Sequence, residues 1–331
     1  MKSSRLLAQW LVLCVGLVAS YAVAAREESI VVDSNGDYII TYHSYLGWQK
    51  VKWIPATKIN PSMMGYVRPA EGKPDNLSYR YTVRNGRDSR QFLDVIRLSA
   101  SNVLSTNPRY PNGWVGDITL DRVAGSGFNV GWSFWSGDGP WETGIKPGGV
   151  ESGFGFDSKD LPGIGQVALY GARPGGQSFP DEGPNVDSPI YAEFIRIQTH
   201  DEVIRFTAVP RISVSVPYDG ATVITNIQKH LDTDLVSLKL VDPVFVAKLD
   251  SWFVSAIDAA KQNNTKALRH AIQELRRLLK QEQPDADKED DGDEQNDDKQ
   301  KMPKPRIDRL AARVLDFDLR YVQKRSAGDK D

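Results

Sequence analysis

The sequence predicts an all-β sandwich followed by a small antiparallel α-helical bundle, and three observations carry that expectation. Up to Pro217 the chain holds most of its glycines, prolines and aromatics, with short apolar runs separated by turn residues; beyond it come leucine, alanine and charge. Strands at that spacing, without helical periodicity between them, favour a sandwich or barrel. Apolar residues after Asp219-Gly220 recur instead at three and four. The expected organisation is a signal peptide at 1–25, a β-sandwich domain at 26–217 that folds alone, and a helical bundle at 218–326 with an acidic insertion at 284–304.

Taken in order, Lys2 and Arg5 precede an apolar run from Trp10 to Ala19, and small residues follow at Ala22, Ala24 and Ala25. This is the layout of a secretory signal cleaved near Ala24 or Ala25, with a run too short to favour a membrane anchor. The mature chain is expected to be secreted or periplasmic, without a membrane span. Cys14, the one cysteine, follows Leu13 rather than the small residue a lipoprotein signal needs. Its removal leaves no disulfide, thiol nucleophile or cysteine-bound metal. A formal charge of -2, becoming -4 without Lys2 and Arg5, carries no basic excess for nucleic acid.

Asn35-Gly36 between Val31-Val32 and Tyr38-Ile39-Ile40 reads as a hairpin, since both residues tolerate positive φ. Asp33, Asn35 and Asp37 also have the spacing that opens a calcium loop, but Tyr38 stands where glycine is needed and Ser44 where glutamate is. Further strands are expected at 79–83, 92–98, 129–135, 150–156, 166–170, 191–198 and 203–216. Tyr79, Tyr81 and Val83 should line the core, with Arg80, Thr82 and Arg84 facing out. An Ig-like or jelly-roll-like arrangement follows.

Residues 143–171 organise this half. Gly153 and Gly155 alternate with Phe154 and Phe156, so one strand face carries rings and the other leaves room for a neighbouring backbone. Pro147-Gly148 and Pro162-Gly163 are expected to be turns. Gly144-Ile145, Pro147-Gly148, Gly153-Phe154, Phe156 and Leu161-Pro162-Gly163-Ile164, with Tyr79-Arg80-Tyr81-Thr82-Val83-Arg84-Asn85 upstream, resemble a pattern in uncharacterised secreted bacterial proteins. That resemblance implies no particular activity.

Six tryptophans fall in the expected sandwich domain, at 48, 53, 114, 132, 135 and 141. Trp132 reads as core. Trp135 and Trp141 flank a Gly-Asp-Gly-Pro loop and are the candidates for a sugar-stacking surface, because an exposed ring offers apolar area with a polar edge. The search for catalysis is otherwise negative. His43, His200, His230 and His270 form no metal spacing, and His200-Asp201 reads as a hairpin turn. No Gly-x-Ser-x-Gly elbow appears. Gly163-x-Gly165-x-x-Ala168 precedes strand residues rather than a helix. Glu142, Glu151, Asp157 and Glu193 are available for a glycosidase pair, but no spacing selects two of them.

In the second half, Ile224, Ile227, Leu231, Leu235 and Leu238 make one helical stripe. Asp242-Pro243 then caps a helix striped by Phe245, Leu249, Trp252, Ala256 and Ala260. After Asn263-Asn264, with Thr265 as a cap, the stripe is Leu268, Ile272, Leu275 and Leu279; a last helix shows Ile307, Leu310, Val314, Phe317 and Tyr321. Leu249, Ala256, Ala260, Asn263-Asn264-Thr265, Ala267, Ala271, Leu275 and Leu310-Ala311-Ala312-Arg313-Val314-Leu315 resemble the FIMAH type of C-terminal helical module of extracellular bacterial proteins, over 222–322. The resemblance implies an accessory role without catalytic residues.

The insertion is dense in like charge and is expected to be a disordered loop. A calcium frame can be laid on Asp287, Glu289, Asp291, Gly292, Asp293 and Asp298, but Glu294 stands where an apolar residue is usual. Asp287, Asp291, Asp293 and Asp298 are therefore the candidate ligands of a weak calcium site, and no other cofactor is expected. The functional expectation is a secreted, non-enzymatic structural or interaction protein whose partners are extracellular or envelope proteins or polysaccharide. A carbohydrate-binding module or a glycan hydrolase with an unrecognised carboxylate pair are the alternatives.

Overall fold

A computed structural model describes residues 27–100, 106–117, 130–134, 143–172, 179–283 and 305–327. Among them are twelve strands in three antiparallel sheets and five α-helices, four of the helices in a C-terminal segment. The chain divides into two compact units, Met1–Pro55 with Gly176–Asp201, and Ala56–Gly175 with Glu202–Asp331.

In the first unit, β1 (Ser29–Val32), β2 (Tyr38–Ser44) and β3 (Gly47–Trp53) form consecutive hairpins. The Asn35-Gly36 turn forms as its sequence requires, with Gly36 at φ 75°. The acids beside it serve the turn and a lysine: one Asp33 carboxylate oxygen accepts the amides of Asn35 and Asp37, and Lys52 pairs with both Asp33 and Asp37. Residues 191–198, expected as a strand, are instead helix α1 (Tyr191–Thr199). Short apolar runs fit both periods. Burial decides here, because Phe194 and Ile197, three apart, join Ile40, Tyr42 and Trp53 in one core. His200 accordingly caps the end of α1 rather than sitting in a hairpin turn.

The second unit holds two sheets. One has the order β4-β5-β10-β7, from β4 (Pro61–Ala70), β5 (Lys73–Asn85), β7 (Thr106–Arg109) and β10 (Val150–Ser158). The other has the order β12-β11-β6-β9-β8, from β6 (Leu93–Leu98), β8 (Trp114–Asp117), β9 (Val130–Phe134), β11 (Leu161–Gly171) and β12 (Val203–Ile212). Both feed one core. Phe156 stacks on Tyr79 at 5.5 Å, and Phe154 lies 4.8 Å from Trp114 and 5.6 Å from Trp132. Tyr79, Tyr81, Val83 and Trp132 are buried as expected. The phenols of Tyr79 and Tyr81 donate to the carbonyls of Asp160 and Ala208, so the wide rings leave no polar end unmatched.

Pro147-Gly148 is a turn, with Gly148 at φ 76°. Pro162-Gly163 is not. It lies inside β11, where Pro162 is paired with Pro210 and Gly163 with Val209, and the chain reverses at residues 159–160 instead. Beside it, Gly155 behaves as its alternation predicts: a Cβ added there would lie 2.3 Å from the Tyr79 carbonyl oxygen. Gly155→Val should therefore force β10 away from β5, lowering stability by about 1–3 kcal/mol. A thermal melt of the variant checks this, and an unchanged midpoint would show that the strands yield at no cost.

The C-terminal segment comprises α2 (Gly220–His230), a π-helical turn (Leu231–Leu235), α3 (Pro243–Lys261), α4 (Thr265–Glu282) and α5 (Arg309–Ser326). Asp219 caps α2 through the Ala221 amide, and Asp242 caps α3 through the Val244 amide at 2.7 Å ahead of Pro243. Asn264, rather than Thr265, caps α4. The α4 stripe is buried as expected. On α3, Phe245, Leu249 and Ala256 are buried, but Phe253 and Ala259 are buried in place of Trp252 and Ala260, which are only partly covered, as is Leu238 of the first stripe. On α5 the fully buried residues are Ala311, Ala312, Val314, Leu315, Asp316, Asp318, Leu319 and Val322, while Leu310, Phe317 and Tyr321 of the expected stripe are partly buried. The reason is position: α5 packs on α2 and α4 and also on β11 and β12, so more than one face is covered. The expected boundary at 217 thus runs through a single hydrophobic cluster that includes Ile164, Val209 and Ile212 of the strands and Ile227, Leu315 and Leu319 of the helices.

Candidate functional site

β4 and β12 are edge strands of different sheets, and they meet where Gly65 replaces a side chain: a Cβ there would lie 2.8 Å from Thr207 Oγ1 and 3.3 Å from the Ala208 carbonyl. From the other side Arg313 of α5 donates to the Gly65 carbonyl at 3.2 Å. Between them opens a cleft of about 610 Å³ lined by Tyr66, Val67, Arg68 and Pro69 of β4, Pro162 and Ala208, and Arg313, Val314, Phe317 and Arg320 of α5. Its walls mix apolar side chains with polar groups in similar measure, its charged groups are three arginines, and no carboxylate among the described residues lines it. Arg320 is held by Asp316 at 2.7 Å, and Asp316 is held in turn by Arg276 at 2.6 Å.

Arg68 also faces Ser78 across the β4–β5 pair, on a sheet face that carries more cations. Arg109 donates to Ser78 Oγ at 2.9 Å and to Asp157 at 2.6 Å, while Arg80 donates to the same Ser78 oxygen at 3.2 Å. Lys73 lies 3.7 Å from Asp157. Burial pushes the Asp157 carboxyl up, but the hydrogen bond and charge of Arg109 outweigh it and hold the group below the ordinary carboxylate range. Partial burial and the neighbouring charges of Arg109 and Arg68 lower the Arg80 guanidinium from its ordinary value.

The residues that sequence patterns single out fall elsewhere. Trp135, Trp141 and Glu142 lie outside the described residues, as do Asp287, Asp291, Asp293 and Asp298 and the whole of the signal segment. Trp53, Trp114 and Trp132 are buried, and Trp48 sets its ring edge-on to His43 at 5.4 Å. Of the other glycosidase candidates, Asp157 is committed to Arg109 and Glu193 of the first unit to Arg196 at 2.6 Å. Arg68 and Arg320 belong to no motif, and Arg313 enters only within the Leu310–Leu315 run of the FIMAH-type likeness, which gives it no role. The signal that was available is the line Arg309, Arg313, Arg320 beside the apolar positions 310, 314 and 317 of α5.

His230 stands just before the π-helical turn. Asp234, four residues on, lies 2.8 Å from His230 Nδ1 and 2.9 Å from Arg211, while His230 Nε2 accepts the Ile164 amide at 3.2 Å. The ring is therefore neutral, with its proton on Nδ1. Burial lowers its pKa below 6.5, against an opposing pull from Asp234. The unfolded chain thus takes up this proton first as pH falls, so the ring's contribution is complete above about pH 6.5 and is lost as pH drops through the folded value. His230→Gln should flatten that limb of a stability-versus-pH curve measured by chemical denaturation; an unaltered slope would count against the assignment.

No protein-family model matches the chain, and no curated protein matches it.

Proposed function

We propose that the chain is an exported, non-enzymatic interaction protein that holds an acidic ligand in the cleft between β4 and α5. The observation that carries this reading is the lining: three guanidinium groups beside the apolar side chains of Val67, Val314 and Phe317, without a carboxylate among the described lining residues. Guanidinium is suited to such a task, since its planar fork binds carboxylate, sulfate or phosphate at two points and stays charged at any physiological pH. The two sheets of the second unit, sharing one aromatic core, are read as a sandwich. Its helices serve as the accessory element that completes the binding edge, in keeping with the FIMAH-type likeness of 222–322. The signal-like segment at 1–25 places the partners outside the cytoplasm, among envelope or extracellular polymers.

Equilibrium binding of the chain from Arg26 onward to dextran sulfate and to neutral dextran tests the reading. Saturable binding to the sulfated polymer alone, weakened several-fold in Arg68→Ala and in Arg313→Ala, is expected. Equal affinity for both polymers, or an Arg68→Ala variant indistinguishable from the parent, would refute it.

A further inference from the structure

The cleft is one end of a longer cationic surface. Strand register sets Arg80 of β5 opposite Gly155 of β10, and Gly155 opposite Arg109 of β7. The middle of that row has no side chain of its own, and the Arg80 stem lies across it, with its Cδ 3.2 Å from where a Cβ on Gly155 would stand. Both guanidinium groups lean to Ser78 Oγ, and Arg109 Nε is buried without a hydrogen-bond partner. Arg109 and Lys73 share one carboxylate there, Asp157, and Arg80 stands beside them on Ser78. Arg68 joins this row to the cleft, because it lines the cleft and pairs in register with Ser78. Tyr66, between them, lines the cleft and pairs in register with Arg80.

We infer that the Arg80–Gly155–Arg109 row is a second anion subsite, and that the ligand is an acidic polysaccharide strand running from the α5 cleft across the face of the β4–β5–β10–β7 sheet. The heads of Arg80 and Arg109 converge on one Ser78 oxygen and so make a single anion position, while Arg313 and Arg320 make another in the cleft beyond Arg68. A ligand that meets both positions carries a chain of anionic groups. A sugar strand suits the surface because its rings pack on a tyrosine face while its acidic groups meet guanidinium. Nucleic-acid strands call for successive aromatic platforms, and Tyr66 is the single ring on β4 and β5 whose side chain faces this way.

This inference rests on the cleft reading, and the test separates the two. Affinities of the chain from Arg26 onward are measured for inorganic sulfate, a sulfated disaccharide, dextran sulfate and single-stranded DNA of matched charge, in the parent and in Arg80→Ser. Dextran sulfate should bind at least tenfold tighter per site than the disaccharide, and Arg80→Ser should remove that advantage while leaving disaccharide affinity unchanged. Arg80→Lys, which keeps the charge, should retain part of it and guards against misfolding of the serine variant. Equal affinity for disaccharide and polymer, insensitive to Arg80, would overturn the second subsite while leaving the cleft reading intact. DNA binding as tightly as dextran sulfate would overturn the choice of polysaccharide. Binding of none of the four would overturn both readings.

Discussion

Ending the chain at Pro217 is expected to abolish cooperative unfolding of the β-rich second unit. Ile164 of β11 and Val209 and Ile212 of β12 are buried in the same cluster as Val223, Ile227, Leu315 and Leu319 of the helices. Each such side chain returned to water costs about 1.5–3 kcal/mol, and a domain's whole margin is about 5–15 kcal/mol. Exposing one flank of β11 and β12 therefore exceeds what the remaining strands can hold. A fragment of residues 26–217 should show a broad, non-sigmoidal thermal transition and collapsed amide shifts. Dispersed shifts with a sharp melt would restore the boundary that the composition change suggests.

Asp318→Leu should do the opposite and stabilise the protein. Asp318 is 1% exposed on α5, and one of its carboxylate oxygens is buried with no hydrogen-bond partner. Burial raises its pKa well above the ordinary carboxylate value. A raised acid binds its proton more tightly folded than unfolded, so its contribution is complete below about pH 3.8 and is lost as pH rises through the folded value. At neutral pH an unmatched buried polar group costs about 1–3 kcal/mol, and leucine of similar volume removes that cost. Denaturant titrations at pH 4 and pH 7 should show the variant's advantage growing with pH. An advantage that shrinks with pH, or a destabilised variant, would mean that Asp318 has a matched role in the fold.

What was legible in the sequence follows from how local each signal is. The Asn35-Gly36 hairpin, the Asp242-Pro243 cap and the Phe154/Phe156 alternation are set by neighbours a few residues away, and they stand in the structure. The α1 helix reads locally as a strand because the short mixed stretch Tyr191–Thr199 satisfies two periods, and only the distant partners Ile40, Tyr42 and Trp53 choose between them. Pro162-Gly163 was misread as a turn because the strand partner that accommodates it, Pro210, lies 48 residues away. The cleft was illegible for a similar reason: Arg68 and Arg313 lie 245 positions apart, and only the crossing of a sheet edge by α5 brings them to one opening. Neither residue breaks a local rule, so nothing in its own neighbourhood marks it.

The central claim is that strand and helix together form the binding edge, and hydrogen exchange with and without dextran sulfate tests it most directly. Ligand should slow amide exchange in two separated segments at once, residues 65–69 of β4 and 313–320 of α5, with a lesser effect around Arg80 and Arg109. Protection confined to one of the two segments, or found only elsewhere in the chain, would contradict it.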